Sequence, residues 1–127
     1  MANQAGKSAR VFKTAWFSKA AKKAHIPDAE LCGAIKQVML GQADDLGGGI
    51  FKKRLSKNMY RSIILAKGDQ YWVYEYLFAK KDRANIKDDE LAEFRRLAKA
   101  YGVLTAQQVS RLTHNNSWME ICNDEEA

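Results

Sequence analysis

Lys52 and Arg54 stand two residues apart, and Arg61 follows seven residues on. Residues two apart in a strand point to the same face, so Lys52 and Arg54 would project together about 7 Å apart. Guanidinium groups bind phosphate bidentately, and an ammonium adds a point charge. Such a group could hold a phosphodiester backbone. A second cationic group, Lys80, Lys81 and Arg83, closes an aromatic segment downstream. Periodicity leaves a blander reading open, in which Lys52 and Arg54 are the solvated side of a half-covered sheet. It also leaves open which strand face meets the helices.

These cations need strands to aim them. Residues 50–56, 60–67 and 70–80 are rich in β-branched, aromatic and aliphatic side chains and are joined by short links. They read as an antiparallel meander. Strict alternation sets Lys52 and Arg54 against Phe51, Lys53 and Leu55. In the third strand it sets Tyr71, Val73, Glu75, Leu77 and Ala79 against Trp72, Tyr74, Tyr76, Phe78 and Lys80. That aromatic run reads as core rather than as a stacking platform.

Residues 11–17 are β-branched and aromatic and predict a first strand, with Ser18 capping a short helix to about Ala24. Pro27 stops that helix, and Asp28 caps a second one. Leu31, Ile35, Val38 and Met39 line one face of it, and Gly41 closes it. Residues 42–49 read as a polar, glycine-rich loop. Gly47 to Gly49 lack the Gly-Lys-Ser/Thr ending of a P-loop and read as a hinge or turn. Asp88, Asp89 and Glu90 open a third helix, and Thr105 with Gln108 forms a capping box for a fourth. Residues 118–122 would pack back as an extended segment. The expected order is β-α-α-β-β-β-α-α. The expected fold class is α+β, with helices on one face of a mostly antiparallel four-stranded sheet.

The 127 residues suit one domain and carry a net charge of +6. No acid precedes Asp28, whereas Lys7, Arg10, Lys13, Lys19, Lys22 and Lys23 do, and the chain closes on Asp124-Glu125-Glu126. A basic body with an acidic tail suits an acidic partner such as a nucleic acid. We divide the chain into a disordered segment 1–10, a domain 11–122 and a tail 123–127. No secretory signal or spanning segment is expected. Cys32 and Cys122 make no ligand spacing, so reduced thiols in a cytoplasm are expected. His25 and His114 are isolated in sequence, and no metal or cofactor is expected.

Three motifs carry a resemblance. The run Asp45-Leu46-Gly47-Gly48-Gly49-Ile50-Phe51-Lys52-Lys53-Arg54, then Tyr60-Arg61, then Phe78-Ala79-Lys80-Lys81-Asp82-Arg83-Ala84-Asn85-Ile86 is similar to the RelE/HigB-like toxins of bacterial type II toxin–antitoxin modules. The RelE/ParE superfamily resemblance spans about Val11 to Cys122. It implies a RelE-like fold and a ribosome-dependent endoribonuclease that cuts mRNA in the A site. It also implies a cognate antitoxin, expected to be a helix-turn-helix DNA-binding protein. By the family pattern, Lys52, Arg54, Arg61 and Lys81 fall at catalytic positions. The family's aromatic position falls near Lys87, where no tyrosine stands, and the loop Ser56-Lys57-Asn58-Met59 lacks the usual glycines.

The implied chemistry needs no histidine. Attack by an RNA's own 2′-OH requires in-line placement, charge stabilisation on the phosphorane and proton transfer. Arg54 and Arg61 are the candidate clamps, and Lys52 is the candidate base. Lys81 and Arg83 would contact the backbone or protonate the leaving group. Lys53, Tyr60 and Lys80 are further RNA-binding candidates, and Lys13, Lys19, Lys22 and Lys23 would meet ribosomal RNA. Two alternatives stay open: a ParE-like poison of DNA gyrase, and a non-catalytic nucleic-acid-binding module on the same fold.

Overall fold

The computed structural model describes residues 9–68 and 70–122. The expected tail and nearly all of the expected disordered start lie outside the described residues. Arg10, assigned to that start, already belongs to a strand. The elements run β1 (Arg10–Thr14), α1 (Ala15–Lys23), α2 (Asp28–Met39), β2 (Asp44–Gly47), β3 (Ile50–Leu55), β4 (Tyr60–Lys67), β5 (Tyr71–Ala79), α3 (Asp88–Gly102), α4 (Ala106–His114) and β6 (Trp118–Ile121).

The α+β class is as expected, but the sheet is larger and mixed. Six strands lie in the order β2-β3-β4-β5-β1-β6. β1 runs parallel to β5, and the other neighbouring pairs are antiparallel. The polar loop hides β2, a short edge strand whose mostly exposed residues give no apolar alternation. The first strand is shorter than expected. Thr14, not Ser18, caps α1, its hydroxyl accepting from Phe17 N at 3.0 Å. Trp16 and Phe17, which suggested strand by their type, therefore lie in the first turn of a helix.

Helices cover both sides of the sheet, not one. α1 and α2 pack through Phe17, Ala21, Leu31, Ile35 and Val38 onto Val11, Leu55, Ile64, Trp72 and Tyr74. On the opposite side Phe12, Tyr71 and Val73 meet Val109 of α4, while Ile50, Ile63, Leu65 and Phe78 meet α3 around Ala98. β1 and β5 are apolar on both faces, which is what a sheet sandwiched between two layers requires. A bulge breaks strict alternation in β5. Ile63 faces Tyr76 but Ile64 faces Tyr74, so one extra residue intervenes on β5. Trp72 and Tyr74 consequently face α1 and α2, whereas Tyr76 and Phe78 face α3.

The cysteines form a disulfide, Cys32–Cys122, between α2 and the segment just after β6. This corrects the expectation of reduced thiols. Pairing of Val11 with Ile121 carries the chain end to the α2 side, where Ile121 and Cys32 share one core.

Candidate functional site

The register of β3 and β4 decides which cations meet. Lys52 lies opposite Ile63, and Arg54 lies directly opposite Arg61. Arg61 in turn faces Phe78, and Ile63 faces Tyr76. Lys52, Arg54 and Arg61 therefore share the α3 side of the sheet, as strand alternation requires. Phe51 and Leu55 point the other way into the α1/α2 core. Lys53 sits at the margin of that core and donates to Gln42 O at 3.0 Å.

The face bearing the three cations is not free of helices, which departs from the single helical layer expected of the sheet. α3 covers its Ile50, Ile63 and Leu65 portion. The strip is open towards the β3–β4 turn, where Arg54 is exposed and Arg61 half-buried. Two arginines directly opposed across a strand pair repel each other, at roughly the 0.2–1 kcal/mol scale of cross-strand pairs. An anion between them would relieve that repulsion. Arg61 Nη1 donates to Asn58 O at 3.0 Å and to Tyr60 O at 3.3 Å. Lys52 is mostly enclosed, its Nζ donating to Asn85 Oδ1 at 3.2 Å with Asp44 Oδ2 at 3.8 Å.

The β3–β4 turn holds three consecutive left-handed residues, Ser56, Lys57 and Asn58, at φ 54°, 53° and 72°. Side chains with a Cβ disfavour this region by about 1–2 kcal/mol, and asparagine tolerates it best. Glu30 Oε2 accepts from Ser56 N, Met59 N donates to Ser56 O at 3.0 Å, and Arg61 donates to Asn58 O. Lys57→Gly should stabilise the fold by about 0.5 kcal/mol, the relief being partly offset by glycine's greater freedom in the unfolded chain. Thermal unfolding of the variant checks this, and a lower midpoint than the parent's would refute it.

The other candidates divide. Arg83 belongs to the cation face, with its guanidinium carbon 5.4 Å from the Phe78 ring centroid, Nη1 on Tyr76 Oη at 3.3 Å and Nε on Asn85 O at 3.1 Å. It is also paired with Glu90. Arg83, and after it the Lys87 amide, hold the Glu90 carboxyl down at about 2. Tyr60 lies on the opposite side of the sheet and, with Met59, Ala79, Lys80 and Lys81, lines a depression of about 410 Å³. Lys80 and Lys81 are exposed there. Lys19, Lys22 and Lys23 are exposed on α1, which packs on that same opposite side. Lys13 is bound to Asp28 at 2.8 Å.

Sequence reasoning missed Asn85, Glu90 and Arg95. Arg95 lies across the glycines and donates to Leu46 O at 2.5 Å. A Cβ on Gly48, at φ +68°, would meet Arg95 Cγ at 3.1 Å. The glycine run is thus the β2–β3 turn beneath a helix side chain. Asn85 stands in the third motif beside Arg83, but no local pattern marks it, Glu90 or Arg95 as a partner of the strand cations. Only the fold of the 80–90 segment brings Asn85 and Glu90 back to the strands.

The depressed Glu90 carboxyl gives a pH signature. Its folded value lies below the ordinary 4.5, so the pair's contribution is present above that pH and is lost as pH falls towards about 2. A carboxyl titration followed by NMR should place Glu90 near 2 in the parent and clearly higher in Arg83→Met, though still below 4.5 because the Lys87 amide remains. Equal midpoints would rule out the pairing.

The model of the family described as "RelE toxin of RelE / RelB toxin-antitoxin system" matches residues 9–121. The chain belongs to the RelE toxin family. It is therefore a toxin of a toxin–antitoxin system, with an antitoxin as its partner. No curated protein and no solved structure matches the chain. In this RelE family member the motif cations Lys52, Arg54 and Arg61 share the α3 side of β3 and β4, with Arg54 opposite Arg61, while Lys81 lies beyond β5 in the exposed turn. Among the described residues no helix is long and apolar enough to cross a membrane.

Proposed function

We propose that this toxin is a ribosome-dependent endoribonuclease that cleaves mRNA through the 2′-OH of its own substrate, and that it acts in the cytoplasm. The observation that carries this reading is the directly opposed pair Arg54 and Arg61, with Lys52 on the same face. Two forked guanidinium groups around one phosphate would stabilise the charge that builds on the phosphorane. Arginine stays protonated throughout, so of these three cations Lys52 is the one able to exchange a proton, and we assign it the base role. Asn85 would orient the Lys52 amino group. Lys81, in the exposed turn after β5, would contact the RNA backbone, and the departing 5′-oxygen would take its proton from solvent. Lys53, Tyr60 and Lys80, together with Lys13, Lys19, Lys22 and Lys23, would meet RNA of the ribosome through salt-dependent phosphate contacts. The antitoxin, proposed as a helix-turn-helix protein, would mask the basic strip or block ribosome entry.

Mapping mRNA ends after induction in growing cells tests the reading. Cuts in phase with codons that disappear in Lys52→Arg, whose guanidinium cannot take up the 2′-OH proton, support it. Growth arrest with intact mRNA and a DNA-damage response would move the target to gyrase. Absence of any growth effect would leave a binding module.

A further inference from the structure

We propose that Trp16 is a stacking platform for an unpaired base of the RNA strand whose phosphates Arg54 and Arg61 hold. The proposal rests on the nucleic-acid reading above and adds a second contact to it. Trp16 is 52% exposed, whereas Trp72 and Trp118 are 7% and 3% exposed. Trp16 is nevertheless held in a fixed plane. Its ring lies 5.1 Å from that of Tyr76 at an interplanar angle of 22°. Tyr76 is backed by Phe94 at 5.9 Å and Phe78 at 6.0 Å. Among the described residues Tyr76 alone stacks on Trp16.

The ledge and the cations belong to one surface. The β5 bulge turns Tyr76 onto the α3 side, and the register then aligns Lys52, Ile63 and Tyr76 across three strands. Two strand spacings separate Lys52 from Tyr76, and the stack adds one ring distance. Trp16 therefore stands on the order of 15 Å from the Lys52 backbone, at the other end of the row. The adjacent row is Arg54, Arg61 and Phe78, with Arg83 over the Phe78 ring and bonded to Tyr76 Oη. An aromatic face beside a basic strip is the pairing that single-stranded nucleic acid requires, since every base offers a π-face and every nucleotide a phosphate. That charge complementarity favours RNA over a protein segment as the occupant. Aromatic residues of the 71–78 run were expected to be core only. Tyr76 packs on the α3 core as expected, and its ring also stacks on that of Trp16 at the start of α1.

The test uses two six-unit strands, a non-cleavable 2′-O-methyl adenylate and an abasic strand with the same phosphates, each read by anisotropy. The adenylate should quench the intrinsic fluorescence of the parent, and the abasic strand should not. Trp16→Ala should weaken adenylate binding about 5- to 100-fold and leave the abasic strand unaffected, with Trp16→Phe in between. Arg61→Ala should weaken both strands. If Trp16→Ala binds adenylate as the parent does while Arg61→Ala does not, the ledge is refuted and the phosphate grip stands. Equal losses for both strands in Trp16→Ala would reduce Trp16 to a structural role and also overturn the proposal. If neither strand binds the parent, the nucleic-acid reading falls together with it.

Discussion

Arg61→Ala is expected to slow ribosome-dependent mRNA cleavage by about 10²- to 10³-fold, the usual consequence of removing one charge-stabilising donor from a reaction centre. Its native contacts are to Asn58 O and Tyr60 O beside an exposed turn, so its loss leaves no deeply buried group unpaired. The variant should therefore unfold within a few degrees of the parent. Arg61→Lys retains the charge but not the fork, and should fall between the two. Arg54→Ala separates function from stability more sharply. It should lose cleavage while gaining up to about 1 kcal/mol, because the like-charged pair across β3 and β4 is relieved. Single-turnover cleavage on programmed ribosomes, measured beside thermal unfolding, gives both readouts. Parent-like cleavage by Arg61→Ala would remove the basis of the nuclease reading.

Opening the Cys32–Cys122 disulfide is expected to cost about 4–5 kcal/mol, because it closes a long loop between cysteines 90 positions apart in sequence. For a domain of this size that corresponds to a fall in melting temperature on the order of 10 °C. The bridge joins α2 to the end of β6, the strand that covers β1. A bidentate contact from Arg10 to Glu120, at 2.8 Å on each oxygen, supports the same junction. Cys32→Ser/Cys122→Ser should show the lower melting temperature with or without reductant, whereas the parent should show it only with reductant. Unchanged melting of the parent under reducing conditions would sink the prediction. The proposed site of action is a reducing compartment, so the measurement under reductant describes the form that would work there.

Much of the fold was legible because local chemistry and tertiary environment agree. β4 spans Tyr60–Lys67, the range that its alternation and flanking turns indicate. Thr105 and Gln108 form the capping box their types and spacing suggest. Lys52 and Arg54 share a face because β3 carries no bulge between them. The failures come from information that a local window lacks. Trp16 and Phe17 favour strand by type, yet one hydroxyl, that of Thr14, starts a helix beneath them. β5 carries apolar residues on both sides, which admits a second helical layer, but a period of two cannot reveal the bulge that turns Tyr76. The disulfide joins residues whose proximity depends on β1 and β6 pairing almost end to end. At the site, the strand cations were legible by type and spacing, but Asn85, Glu90 and Trp16 reach it only through tertiary folding.

The pairing of Val11 with Ile121 also has a kinetic consequence. β3, β4 and β5 are neighbours in sequence and can zip locally, while β1 must wait for β5 and then for β6. Contacts of such long separation form late, after the entropy of closing the intervening chain has been lost. Folding should therefore begin in the meander that carries Lys52, Arg54 and Arg61 and finish at the β1–β6 seam. Destabilising substitutions in β6 should speed unfolding and leave the folding rate nearly unchanged. During synthesis, the outer edge of β1 stays unsatisfied until residue 121 has been added.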